Sequence, residues 1–211
     1  MPTGAAPEQL PRGRHKLSRE QVVRSQRDRM LQAMAGALAE KGYTRTAVAD
    51  VLSRAGVSRE TFYQQFDSKE DCFLETLDHA SRILLERVTA AAADGRGQGA
   101  PALDDILGAY LEALAAEPAY ARVYLVEVYA VGPRAVRHRV AAQEMFAAAL
   151  AEQLGATTDD QRMACELLVA AVSSMVTNRI ALGQPETLPD LREPVAGVAR
   201  TLARAAFGAE L

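Results

Sequence analysis

The sequence predicts an all-α protein, and three observations carry that reading: alanine is abundant, 49% of the residues are apolar with no Trp among them, and Pro and Gly are confined to a few places. With 211 residues the chain has room for one large domain, or for a small domain joined to a larger one.

Residues 1–17, MPTGAAPEQLPRGRHKL, are rich in Pro, Gly and charge and show no periodicity, so a disordered basic arm is expected there. Ser18 with Gln21 forms a capping-box pattern, and Met30, Leu31, Met34 and Leu38 follow at helical spacing until Gly42 stops the first helix. Thr46 then stands where a cap for a short second helix is needed. The apolar residues of that helix, Val48, Val51, Leu52 and Ala55, lie on one face, and Gly56 ends it. Only Val57 separates this glycine from Ser58, the next cap, so two helices too short to stand alone must turn a sharp corner against the first. In the third helix Val57 and Phe62 make a hydrophobic staple, and Phe66 lies one turn beyond Phe62 on the inward face.

The opposite face of that third helix presents Glu60, Thr61, Tyr63 and Gln64, with Arg59 and Gln65 at its margins. A solvated face usually carries Lys and Glu in i, i+4 pairs, whereas Tyr, Thr and Gln suit contact with another molecule. On these residues alone, DNA recognition and an ordinary helical corner both remain open.

After Ser68, with Lys69, Glu70 and Asp71 in the first turn, a long helix is expected to about Ala93, where Gly95, Gly97, Gly99 and Pro101 break it. Further helices are expected over 102–116, 118–131, 133–154, 158–183 and 189–207, about nine in all, punctuated by Pro118, Gly132-Pro133, Gly155, Gly183 and Gly208. The Val and Tyr content of Arg122 to Val131 suits a strand as well, but nothing else in the chain offers a strand to pair with.

The net charge of −3 conceals an asymmetry. Residues 1–70 hold 12 Lys+Arg against 8 Asp+Glu, and residues 71–211 hold 12 against 19. Between Arg12 and Arg29 seven basic residues face only Glu20 and Asp28, a local excess suited to a polyanion, although a solvated charged face would read the same way. No apolar leader precedes the first helix, and the apolar run Leu167 to Val176 is about half a membrane span, so a soluble cytoplasmic protein is expected. Cys72 and Cys165 are too few for a disulfide framework or a zinc site and read as reduced core residues, with a redox-sensing pair as the alternative.

The run TAVADVLSRAGVSRETFYQQFDSKEDCF, Thr46 to Phe73, resembles the TetR family of transcriptional regulators in its Ala-Gly-Val-Ser turn, its Tyr-x-x-Phe helix end and the Ser-Lys-Glu that follows. The resemblance is strong from residue 18 to about residue 80. Beyond that it extends only to length and helix count. It implies a helix-turn-helix DNA-binding domain over 18–67 and a helical ligand-binding and dimerisation domain over 68–211. It also implies a repressor that a small-molecule effector releases from a (pseudo)palindromic double-stranded operator. By the same comparison Thr46 and Lys69 would hold phosphate, Ser58 and Arg59 would open the recognition helix, and Thr61, Tyr63, Gln64 and Gln65 would enter or border the major groove. Gln64 or Gln65 is the expected base-selecting residue, since glutamine pairs bidentately with adenine.

Glu60 departs from the family pattern, which usually has a small residue there. An acid in that place would repel phosphate unless aimed at the amino group of cytosine, the alternative being a solvent-facing acid near a positive helix end. Pro11-Arg12-Gly13-Arg14 is similar to minor-groove arms, against the alternative of a disordered tail.

The family builds its ligand cavity and its dimer from the C-terminal helices. The expected dimer surface is Met163, Leu167, Ala170 and Ser174 with Val195, Val198 and Leu202, Leu191 lying on the same stripe as the last three, and a second stripe through Leu168, Val172 and Met175 turns toward the chain's own core. Burial of both stripes within one chain is the alternative. Candidate cavity residues are Tyr110, Tyr124, Glu127, Met145, Phe146, Met175, Asn178 and Arg179, apolar bulk with a few polar handles. Glu127 sits alone in an apolar run and needs a partner if buried; an ion pair with an arginine is favoured over a ligand anchor. Pro118 and Gly132-Pro133 are candidate positions for the conformational shift. No cofactor or metal is expected. His15, His79 and His138 stand in unrelated segments without a nucleophile motif or phosphate loop, which argues against an enzyme. A family-like ligand binder that has lost DNA recognition remains the rival reading.

Overall fold

The computed structural model describes residues 18–94 and 101–208. The expected arm, with its Arg-Gly-Arg element, and the glycines of the expected break at 95, 97 and 99 lie outside the described residues. Among those described, all regular structure is helical. They form two compact units, the first ending at Thr76 and the second starting at Leu77. That division falls within a helix, later than the boundary expected at 67/68, because Cys72, Phe73 and Leu74 are buried with the preceding helices.

In the first unit, α1 (Arg19–Arg45) opens with the expected capping box: Gln21 N–H donates to the Ser18 hydroxyl at 3.2 Å, and Ser18 N–H to the Gln21 side chain at 2.8 Å. The regular helix breaks at Gly42, whose φ of 73° is open to glycine and strained for other residues. α2 (Val48–Ala55) is capped differently from expectation. Ala47 occupies the cap position, and Asp50, three residues in, accepts its N–H at 2.8 Å. The Asp50 carboxylate also pairs with Lys41 at 2.7 Å, and these two bonds hold it below the usual range. Gly56 ends α2 in the left-handed conformation at φ 63°. α3 (Arg59–Tyr63) starts at Ser58, whose hydroxyl accepts from Thr61 N–H, and a further turn is closed by Phe66 N–H donating to Phe62 O at 2.9 Å. Met30, Met34, Leu38, Val51, Phe62, Phe66 and Phe73 are fully enclosed and form the core.

α4 (Lys69–Asp94) carries the chain into the second unit. There α5 (Pro101–Ala116) is followed by one helical run over 118–131, made of α6 (Pro118–Arg122), a π-helical turn (Val123–Glu127) and α7 (Val128–Val131). α8 (Pro133–Gln153) and α9 (Asp159–Ala181) follow; two 3-10 turns, Pro185–Thr187 and Pro189–Leu191, lead into α10 (Arg192–Phe207). Counting 118–131 as one run, the described residues hold nine helices, the number expected. α8 packs on α9, and α10 on α5 and α9.

Alanine rather than large residues makes the inward face of α10. Ala196, Ala199 and Ala203 are buried, letting this helix approach its neighbours closely. Val195 is buried with them, which corrects its assignment to a surface stripe with Val198 and Leu202. Met175 is corrected in the opposite sense. The inward residues of α9 are Cys165, Val172, Val176 and Ile180, while Met175 is exposed.

Candidate DNA interface and ligand cavity

The outward side of α3 is as polar as the sequence implies. Ser58, Arg59, Glu60, Tyr63 and Gln64 are exposed, and Thr61 and Gln65 are half-buried. Thr61 is close to its own cap, with its hydroxyl 2.9 Å from that of Ser58. Glu60 points along the helix, where its carboxylate accepts from the Gln64 amide at 3.3 Å, so the two side chains are presented together. Gln65 turns inward: its side-chain oxygen is buried without a hydrogen-bond partner, and its backbone carbonyl accepts from Arg27 at 3.2 Å. Of the two glutamines expected to select bases, Gln64 is the one presented outward.

Two expected phosphate contacts are otherwise engaged. Thr46 is only 2% exposed, and its hydroxyl donates to Gly42 O at 2.8 Å, a carbonyl that also accepts the Thr46 N–H at 3.2 Å. It is therefore a corner clamp rather than a groove-facing group. Lys69 donates to Tyr43 O and Thr46 O, both at 3.0 Å, with its ammonium 3.9 Å from the Tyr43 ring centre; burial lowers its pKa. It ties the same corner together and keeps one N–H of three for an outside partner. Replacing Thr46 with the near-isosteric Val should cost about 1 kcal/mol of stability in urea unfolding, for one lost hydrogen bond. Duplex affinity of the folded variant should be unchanged; a selective loss of affinity at full stability would restore the phosphate role.

The basic excess that the sequence displays is partly structural. Arg27 pairs with Glu75 at 2.8 Å and stacks over Phe66, and Arg29 caps α2 through Ala55 O at 2.7 Å. Arg19, Arg24 and Arg59 remain exposed.

In the second unit a cavity of about 200 Å³ opens among α4, α5, α8, α9 and α10. Three expected residues line it: Tyr110, Tyr124 and Phe146. The two tyrosine rings each lie 6.4 Å from Phe146 in edge-on contact. Burial pushes both phenols above their ordinary pKa, so they are hydroxyl donors at neutral pH. The other five candidates lie elsewhere. Met145 is exposed on the wall of a separate surface groove, Met175 and Asn178 face outward, and Arg179 donates to Thr187 O at 3.2 Å. Glu127 is buried and paired with Arg122 at 2.9 Å. The π-helical turn explains this pair, because i→i+5 registration brings residues five apart over one another where an α-helix would separate them.

Sequence reasoning missed the polar centre of the cavity, which is Arg139 with Gln143 and Ser173. Its signal was present: Ala135, Arg139, Gln143, Phe146 and Leu150 recur at i, i+4, i+8, i+11 and i+15, which places an arginine on the inward stripe of α8.

Both cysteines are buried free thiols. Burial pushes Cys72 up to about 12 and raises Cys165, so both are neutral and poorly nucleophilic. Among the described residues no group of His, Cys, Asp and Glu is arranged to hold a metal.

Residues 31–76 match the model for bacterial regulatory proteins of the tetR family. No curated protein matches the sequence. Several solved structures share the fold. The fatty acid degradation regulator FadR from Bacillus halodurans aligns with a TM-score of 0.72 at 19% identity, over 82% of this chain and 94% of that one. A transcriptional regulator from Rhodococcus sp. Rha1 aligns at 0.68 and 25% identity, over 83% and 96%. FadR from Bacillus subtilis, solved in complex with stearoyl-CoA, aligns at 0.63 and 18% identity, over 86% and 98%.

Proposed function

We propose that this chain, a member of the tetR family of bacterial regulatory proteins, is a cytoplasmic, sequence-specific double-stranded DNA-binding repressor that leaves its operator when a small molecule fills the cavity of its second unit. The observation that carries the reading is the outward face of α3, where Arg59, Tyr63 and Gln64 are exposed on a helix whose other side is anchored by two enclosed phenylalanines. Gln64 is the base reader in this proposal, with Tyr63, Ser58 and Arg59 positioning the helix on phosphate or a base edge.

The protein acts as a homodimer. Leu167 is 61% exposed and Val198 60%, and Met163, Ala170, Ser174 and Leu202 are exposed with them, apolar surface on two helices that a second copy would cover. α9 is long and apolar enough to cross a membrane by length and composition. Its inward face is instead packed into the second unit, and Asp159, Asp160, Arg162, Glu166 and Arg179 lie along it, so a partner helix suits it better than lipid.

A dimer offers two recognition helices for half-sites about 34–36 Å apart, or a multiple of that spacing. A ligand that prefers a dimer with a different spacing lowers operator affinity by population shift. Gly132, at φ 130° between α7 and α8, and Pro118 are where we place the backbone adjustment. The fold shared with a stearoyl-CoA complex supports the cavity as the effector site.

Selection from random duplex DNA tests the main reading and should return a (pseudo)palindrome. Indifference to every duplex at low ionic strength would leave the rival, a ligand binder without DNA recognition. The same selection with Glu60→Ala examines the acid on α3. Because Glu60 accepts from Gln64, its removal frees the glutamine amide, and the preference should shift at one position per half-site by roughly 5- to 150-fold, about 1–3 kcal/mol. An unchanged consensus would make Glu60 a solvent-facing acid.

A further inference from the structure

We infer that the cavity takes a compact organic acid, its carboxylate held by Arg139 and its apolar body by the surrounding aliphatic walls. The inference deepens the ligand-responsive reading and rests on it. Arg139 is 4% exposed and lines the cavity. Its guanidinium donates to the Tyr124 hydroxyl at 3.1 Å, to the Gln143 side-chain oxygen at 3.2 Å and to the Ser173 hydroxyl, and it stacks 4.2 Å from the Tyr124 ring centre. Every one of these acceptors is neutral. Its Nε is buried with no hydrogen-bond partner, and among the described residues no carboxylate lies within ion-pair distance.

Two other part-buried arginines of the same unit each have a carboxylate. Arg122 meets Glu127, and Arg200 meets Asp104, although both arginines are more exposed than Arg139. A guanidinium cannot escape burial by losing its proton, so an enclosed one without an anion is an energetic fault unless an anion arrives. Nε and Nη2 lie on one edge of the fork, and since Nη2 already donates to Ser173, a carboxylate on this edge would pair with Nε and share or displace the Ser173 hydroxyl at Nη2.

Charge and size narrow the occupant. Among the described lining residues Arg139 is the one basic group and Glu152 the one acidic group, and only Arg139 is buried, so the enclosed end of the cavity matches a single negative charge rather than a polyphosphate. The remaining wall is dominated by residues such as Leu103, Ile106, Leu168 and Val172, suited to an aliphatic or aromatic body. About 200 Å³ is below the usual 300–1,000 Å³ of small-molecule pockets, which selects a compact acid over a long acyl chain with a nucleotide head.

The test uses the full-length protein and three acids, benzoate, phenylacetate and octanoate, each beside its primary amide, in calorimetric titration and thermal shift. At least one acid should bind ten-fold or more tighter than its amide, because the amide brings no charge to Arg139. In Arg139→Gln that preference should collapse to near unity, and in Arg139→Lys it should be partly retained. If Arg139→Gln does not fold, the acid-to-amide ratio in the unaltered protein compared with that in Arg139→Lys is the deciding measurement. Amides binding as tightly as acids, or no acid binding at roughly 10 mM, would overturn the inference. A duplex recovered by selection is titrated in parallel. Acid binding that leaves duplex affinity unchanged, or that occurs in a protein binding no duplex, upholds the cavity assignment while removing the repressor mechanism.

Discussion

Phe62→Ala is expected to unfold the N-terminal head while most of the second unit's helical signal survives. Phe62 is fully enclosed, its ring centre 5.3 Å from that of Phe66 and 5.3 Å from that of Tyr63, in a unit whose core rests on few large side chains. Truncating a buried phenylalanine costs about 3–5 kcal/mol, a large share of the 5–15 kcal/mol that stabilises a typical domain. α3 spans Arg59–Tyr63 and α2 eight residues, neither stable without tertiary support, so the loss falls on the elements that present the groove-facing residues. Circular dichroism in urea should show two transitions, the earlier one moved to lower denaturant, and duplex affinity should fall with it. Tyr63→Ala is the contrast. That ring is about half exposed and meets Phe62 only edge-on, so the variant should remain folded with a small loss of stability and lose affinity well beyond it. A fully stable Phe62→Ala would mean that the packing of α3 has been misjudged.

The legibility of the head in the sequence has a physical origin: its signals are local. The capping box at Ser18, the left-handed glycine at residue 56 and the cap at Ser58 each act within four residues, and the structure has all three. Thr46 was misread because a hydroxyl between two helices can serve either one. It turned back to the Gly42 carbonyl, and Asp50 capped α2 from within. The cavity was harder to read because its signals are long-range. Arg139 stands among Arg134, Arg137 and His138, where basic residues look like surface, and only the register of the inward stripe separates it from them. On α9 both sides are apolar, so composition could not tell which side meets the chain's own core, and Met175 went to the wrong one. On α10 the buried side is largely alanine, and reading hydrophobicity by bulk drew Val195 outward. Glu127 was recognised as needing a partner, but the π-helical turn that puts Arg122 in reach follows from no local pattern in Val123–Glu127.

Leu167→Glu is expected to convert the protein to a monomer and to lower operator affinity more than 100-fold. Leu167 lies between Met163 and Ala170 on the outward side of α9, and a two-fold interface would present each such residue twice. Burying one leucine contributes about 1.5–3 kcal/mol, so the pair contributes about 3–6 kcal/mol, and a carboxylate in its place adds unpaired desolvation and mutual repulsion. The operator effect follows from avidity. In a dimer the second head meets its half-site at an effective concentration set by the first, and a monomer loses that advantage, commonly 10²–10⁴-fold. Sedimentation velocity should report the mass of one chain, 22.7 kDa, for the variant and twice that mass for the unaltered protein. Val195→Ala separates interface from core, because Val195 is buried within the chain. It should lower stability while leaving the dimer intact. A dimer that survives Leu167→Glu combined with Val198→Glu would move the interface off these two helices, and the spacing argument for the operator would have to be rebuilt on another surface.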